Sequence, residues 1–316
     1  MKAVVLEAKK LRVRNKPRPV PSAEEALIQV HLAGICNTDL ELVRGYMDFE
    51  GILGHEFVGI VLESQDNKWA GKRVVGEINL VCGRCVLCLS GESRHCPHRS
   101  VLGISGKDGV FAPFVTLPVE NLHILPDSIE DREAVFIEPL AAALRILEQV
   151  HVREKDRVLI LGDGKLGLLI AQVLRTRTDK VFCIGRHPPN LKILRKRGIE
   201  TLMRLPDKKS RYDLIVEATG QREGLETALN FVKPSGTVVL KSTYAGKACL
   251  NFSQVVVDEI RLVGSRCGPF PPAISLLEKK AVEVKEMIDG TFSLEEAEKA
   301  FAEAQKPGVL KILLIP

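Results

Sequence analysis

The chain has 316 residues, 45% of them hydrophobic and 27% charged, with a formal net charge of +5 at pH 7. Its length suggests two domains, and its composition excludes a long disordered tail. The small basic surplus forms no polybasic block, which argues against a nucleic-acid partner and leaves room for an anionic cofactor.

The opening residues, Met1 to Leu6, run directly into Glu7 and Lys9-Lys10. That start lacks a signal-peptide core, and no run of about 18 apolar residues follows, so a cytoplasmic protein without a membrane segment is expected. Residues 2–6 and 26–32 read as strands, joined by a turn-rich connection carrying Pro17, Pro19 and Pro21. Short strands and glycine turns continue to residue 125, the pattern of an all-β unit with loops laid over a barrel-like core. Pro139 then opens an alanine-rich helix, at a first-turn position where its missing N–H costs nothing. Beyond it come a strand at 158–161, a helix at 166–174, a strand at 181–184, a helix at 191–197, and strands at 214–217 and 238–240. This is the β-α-β alternation of a parallel sheet. A helix at 294–304 and a strand at 310–315 leave that alternation and are expected to return to the first unit. The expected fold class is α/β. Residues 1–139 and 269–316 form a discontinuous β-rich domain, and residues 140–268 form a doubly wound, Rossmann-type parallel-sheet domain.

The chain has eight cysteines, and without an export signal they are expected as reduced thiols, so a cluster points to metal. Cys82, Cys85, Cys88 and Cys96 follow C-x2-C-x2-C-x7-C, and four thiolates at that spacing can close a tetrahedral shell around zinc. A closed shell has no open position for chemistry, so this centre is expected to be structural. An iron–sulfur cluster is the competing metal reading. Cys36, His55, Glu56 and the distant Glu138 suggest a second centre. One thiolate, one imidazole and one carboxylate with a free fourth position make a zinc that can act as a Lewis acid on a substrate oxygen.

The strand at 158–161 leads into Gly162-Asp163-Gly164-Lys165-Leu166-Gly167, a G-x-G-x-x-G loop between strand and helix. The first glycine allows the turn, the second admits a pyrophosphate to the backbone, and the third lets helix and sheet pack closely. The next strand ends at Gly185-Arg186-His187, where an NAD-binding fold carries an acid for the ribose. No acid stands there. Glycine leaves space for a 2′-phosphate and Arg186 offers a bidentate guanidinium, so NADP is expected over NAD. With Arg186 merely solvated, NAD would remain the coenzyme.

These pieces, with G-I-C-N-T-D at 34–39, G-H-E at 54–56, E-P-L at 138–140 and V-E-A-T-G at 216–220, resemble the zinc-containing medium-chain alcohol dehydrogenase family. The threonine, polyol and glucose dehydrogenase branches are especially close in motif, and the resemblance covers nearly the whole chain. It implies a GroES-like catalytic domain beside the Rossmann domain, and two zinc ions per chain. The catalytic zinc would be held by Cys36, His55 and a carboxylate, with Glu138 favoured and Glu56 as an exchanging or neighbouring group. It also implies that Thr38 passes the substrate proton outward, that Asp39 orients the metal site and that Thr219 lies in the coenzyme site. Where many relatives end the proton relay on a histidine, this chain has Glu41.

The activity expected is hydride transfer between a small alcohol, or its aldehyde or ketone, and NADP(H). A sugar, polyol or threonine dehydrogenase is the alternative, and a non-enzymatic NADPH-binding scaffold is a third reading. Residues 260–265 resemble the edge strand through which relatives pair, so a homodimer or homotetramer is expected.

Overall fold

The computed structural model describes residues 1–205, 207, 211–243 and 251–316. Two compact units emerge: residues 1–138 with 288–316, and residues 139–287. Sequence patterning puts the return crossing at residue 269, whereas in the structure residues 269–287 stay with the second unit. The reason is packing. Helix Phe270–Glu278 buries Phe270, Ala273 and Leu277, a stripe at i, i+3 and i+7. The Gln172 amide also donates to the Glu283 carbonyl and accepts from its N–H.

The first unit is β-rich. Its largest sheet runs Leu122–Ile124, Arg73–Gly76, Glu56–Ser64, Glu25–Gly34, Lys311–Ile315 and Ile288–Ser293, with Phe114–Pro118 also paired to Glu25–Gly34. The tail strand thus joins the sheet, pairing Leu313 with Gly34. Its helix is shorter than the pattern suggests, a 3-10 turn Leu294–Glu296 followed by Ala297–Ala304. Glu25–Gly34 is central because Ala26, Leu27, Ile28, Val30, Leu32 and Ala33 are all buried. Against Glu56–Ser64 the register sets Gly34 opposite Glu56.

The second unit holds a six-stranded sheet in the order Glu200–Leu202, Val181–Ile184, Val158–Leu161, Tyr212–Glu217, Val232–Leu240 and Arg261–Gly264. Every pairing in it is parallel. Parallel strands buried on both faces read as unbroken apolar runs, and Val158 to Leu161 are all buried. On one face, Leu159, Leu161 and Ile215 pack with Leu225, Ala228 and Leu229 of helix Glu223–Phe231. Each such buried leucine or isoleucine contributes about 1.5–3 kcal/mol. Among the described residues no helix is long and apolar enough to cross a membrane.

Candidate metal and coenzyme sites

Cys82, Cys85, Cys88 and Cys96 converge on one loop. Cys85 caps the single-turn helix Val86–Leu89, and Cys96 follows the 3-10 turn Ser93–His95. Their sulfurs lie 3.5 Å (Cys85–Cys88), 3.8 Å (Cys85–Cys96) and 3.6 Å (Cys82–Cys96) apart. Four sulfurs each about 2.3 Å from a tetrahedral zinc would stand about 3.8 Å from one another, so the residues fit that ion. Backbone N–H groups of Arg84 and Cys85 bring the Cys82 thiol down to about 6. Desolvation and the neighbouring Cys85 thiol push Cys88 up to about 12. Four thiols this close cannot all ionise without a cation among them.

The second group forms where the main sheet ends. Cys36 caps helix Asn37–Val43 just beyond strand Glu25–Gly34, while His55 immediately precedes strand Glu56–Ser64 and Glu56 opens it. The Gly34–Glu56 register therefore brings them together, with donor atoms within 4.8 Å of one another. Asp39 pins the helix start: its Oδ2 accepts from the Cys36 N–H at 2.8 Å, and its Oδ1 lies 3.4 Å from His55 Nδ1. Burial alone would lower the pKa of His55, but the charges of Asp39 and Cys36 outweigh it and raise it well above the ordinary value. Thr38 Oγ1 sits 3.6 Å from Cys36 Sγ. Asp39 Oδ1, His55 Nδ1 and Glu56 Oε1 are buried without hydrogen-bond partners. Buried polar atoms left in this way are costly; a cation held by Cys36, His55 and Glu56 would satisfy Glu56 Oε1, so this set also fits a metal.

One member was not legible in sequence. The ammonium of Lys311 bonds Glu56 Oε2, and both side chains are completely buried. The same ammonium lies 5.4 Å from the centre of the Phe136 ring. The available signal was a lone cation inside the apolar run Leu310-Lys311-Ile312-Leu313-Leu314. Glu138 is the second residue of helix Ile137–Gln149, half-buried, and lies outside the three-residue group. Glu41 pairs with Arg44 on the surface.

In the second unit the glycine loop takes the form its spacing suggests. Gly162 has φ +112°, a conformation L side chains rarely adopt, and Gly164 caps helix Lys165–Arg175. A Cβ on Gly167 would come within 2.0 Å of the Gly162 carbonyl oxygen, which is the close helix–strand approach the third glycine permits. Lys165 and Leu166 begin the helix and are half-buried. Gly185 is buried, Arg186 is exposed, and His187 caps helix Pro188–Lys196. Thr219 is committed within its own turn: its N–H and hydroxyl donate to Glu217, and the hydroxyl accepts from Gln221 N–H.

Residues 22–127 match the alcohol dehydrogenase GroES-like domain, and residues 132–313 match the glucose dehydrogenase C-terminus. The chain belongs to the zinc-containing medium-chain alcohol dehydrogenase family. A sorbitol dehydrogenase from Halalkalibacterium halodurans is 28% identical, over 96% of this chain and 95% of that one. Among solved structures, a putative zinc-binding dehydrogenase from Sinorhizobium meliloti bound to NADP superposes with a TM-score of 0.92 at 29% identity, covering 100% of this chain and 99% of the other. A protein described as a short chain alcohol dehydrogenase from Escherichia coli CFT073, complexed with NADH, gives a TM-score of 0.92 at 26% identity with the same coverage. Members of one fold therefore carry either coenzyme, and the choice rests with local residues.

Proposed function

We propose that this dehydrogenase oxidises a small alcohol, with a sugar alcohol as the preferred class, and passes the hydride to NADP. The observation that carries this reading is the group of Cys36, His55 and Glu56, whose ligand atoms converge and include a buried Glu56 oxygen without a hydrogen-bond partner. Cys36 and His55 would hold a catalytic zinc together with a carboxylate, and zinc when bound supplies Lewis acidity to an alcohol oxygen. Asp39 keeps His55 turned with Nδ1 toward its carboxylate, leaving Nε2 as the ligand nitrogen. Glu56, with one oxygen held by Lys311 and the other without a partner, supports an exchanging role, and Glu138 is the proposed third ligand. The Thr38 hydroxyl, beside Cys36, takes the alcohol proton outward. Cys82, Cys85, Cys88 and Cys96 hold a second, structural zinc, whose thiolates suit a reducing cytoplasm.

In the second unit, Gly162, Gly164, Lys165, Leu166 and Gly167 cradle the pyrophosphate, with Gly185, Arg186, His187 and Thr219 around the remainder of the coenzyme. The unit of residues 1–138 and 288–316 is then the catalytic domain. The likeness to a sorbitol dehydrogenase supports a polyol over a simple alcohol. A homodimer formed along strand Arg261–Gly264 is proposed as the assembly. Among the described residues that strand is the free edge of its sheet, and Phe252, Val256 and Val257 of the preceding helix are exposed.

The test pairs metal analysis with turnover on sorbitol, xylitol, threonine, glucose and ethanol. Cys36→Ser is expected to lose one of two zinc ions and all turnover while still binding NADPH. Normal turnover in that variant refutes the reading, and activity confined to ethanol refutes the polyol preference.

A further inference from the structure

The glycine loop contains an acid that its motif does not require. Asp163 lies between Gly162 and Gly164 and is buried, with a relative exposure of 5%. Its carboxylate packs against the end of strand Val181–Ile184, so closely that a Cβ on Gly185 would fall 2.1 Å from Asp163 Cγ. An acid thus stands beside the place where NAD-binding folds carry one for the ribose, but it comes from a different loop and is already occupied. Asp163 Oδ2 accepts the His187 N–H at 2.6 Å, and Oδ1 meets His187 Nδ1 at 3.0 Å. The Asp163 carbonyl accepts from the buried Asn190 amide at 2.9 Å. Both oxygens of this buried carboxylate are already engaged with His187, which turns it toward the histidine and away from a ribose hydroxyl.

What this arrangement presents outward is the histidine. An ionised carboxylate can only accept, so Nδ1 of His187 carries a proton and the ring edge bearing Nε2 is left clear of Asp163. The His187 side chain is 32% exposed, beside the exposed Arg186. The helix that begins there opens with Pro188 and Pro189, which have no N–H to give an anion. The first two positions of that helix therefore give an anion no N–H, and the side chains of Arg186 and His187 are the charged and polar groups at hand.

We propose that Asp163 and His187 act as one unit that reads the 2′-substituent of the adenosine ribose. Asp163 is a positioning residue, and His187 Nε2, with Arg186, binds a 2′-phosphate. The contact needs one proton between imidazole and phosphate, and either partner can supply it: imidazolium donates to the dianion, and neutral Nε2 accepts from the monoprotonated form. The proposal rests on the coenzyme reading above and deepens it, assigning the NADP preference to a residue of the glycine loop.

The experiment uses the full zinc-loaded chain with 2′,5′-ADP and ADP as probes. Neither fragment carries nicotinamide, so the result is independent of the catalytic metal and of turnover. Dissociation constants come from calorimetry on the parent, His187→Gln and Asp163→Asn. The parent is expected to prefer 2′,5′-ADP, and each variant to reduce the ratio of the two constants about tenfold or more, as befits one charge-assisted hydrogen bond. Proton NMR adds a signature that a purely structural role would not produce. A far-downfield imidazole Nδ1–H resonance should be present in the parent, absent in His187→Gln, and lost or moved upfield in Asp163→Asn. A parent that binds ADP as tightly as 2′,5′-ADP, or a His187→Gln variant with an unchanged ratio, overturns the proposal and leaves the coenzyme domain standing. Binding of neither fragment to the parent overturns the coenzyme reading along with it.

Discussion

Replacing Lys311 by Met tests whether the carboxylate beside Cys36 and His55 is held by an internal counter-ion. Methionine fills similar volume in the apolar tail strand but removes the ammonium from a pair in which neither partner is exposed. Glu56 would then keep a buried charge whose other oxygen already lacks a hydrogen-bond partner. Breaking one side of a buried pair costs about 3–5 kcal/mol. At about 2–4 °C per kcal/mol for a unit of this size, that is a fall of roughly 6–20 °C in melting midpoint. Loss of the contact with the Phe136 ring adds a smaller amount in the same direction, about 1–2 kcal/mol for a desolvated cation. The assay is thermal unfolding in a Cys36→Ser background, where no metal at that site can take over the Glu56 charge, with metal content measured in parallel. The double variant Glu56→Gln with Lys311→Met, which removes both charges, should recover more than half of the loss, and the cycle isolates the coupling. A Lys311→Met protein melting within about 2 °C of the parent refutes the reasoning, because only a screened surface pair would be so inexpensive to break.

Three further outcomes test the four-cysteine lobe, the Cys36 site and an ion pair of the second unit. Cys88→Ser should reduce bound zinc from two ions to one and lower the melting midpoint while sparing the zinc at Cys36, as metal analysis of both single-site variants would show. Asp39→Asn keeps an oxygen for the Cys36 N–H but removes the charge facing His55, and should weaken zinc retention about 10–100-fold in a chelator competition. The pH dependence of stability should include Asp213. Desolvation acts to raise its pKa, but the Lys233 ammonium and the Arg157 N–H outweigh it and hold the carboxyl below the ordinary range. A depressed folded value stabilises above the unfolded pKa of about 3.9 and is lost as pH falls through the lower folded one. Asp213→Asn should therefore cost about 0.5–1 kcal/mol at pH 7, discounted for the half-exposed Lys233. In denaturant titrations across pH, that difference should vanish once the parent's Asp213 is protonated.

Features that depend on local spacing were legible in the sequence, and features that depend on register were not. The four-cysteine lobe, the glycine loop and each single β-α-β step sit within a few dozen residues, so chain geometry alone brings their parts together. Helix Glu223–Phe231 had a usable signal, Leu225, Ala228 and Leu229 at helical spacing, that strand patterning around it obscured. Short strand Glu200–Leu202 had none, being held by parallel pairing to Val181–Ile184. The metal-site carboxylates show the limit most clearly. Spacing presents Glu56 and Glu138 as equals, because nothing in a string of residues says that Glu56 meets a lysine from the tail strand. The sheet decides it: one pairing sets Glu56 opposite Gly34, and another places the tail strand on the other side of the same central strand. Lys311, 255 residues away in sequence, then reaches the Glu56 carboxylate. On the proposed exchanging role, a carboxylate in this position would trade one cation for another on joining a metal, and its charge would be compensated in either state. That is why a glutamate can be completely buried beside the Cys36 thiol without having to be a permanent ligand.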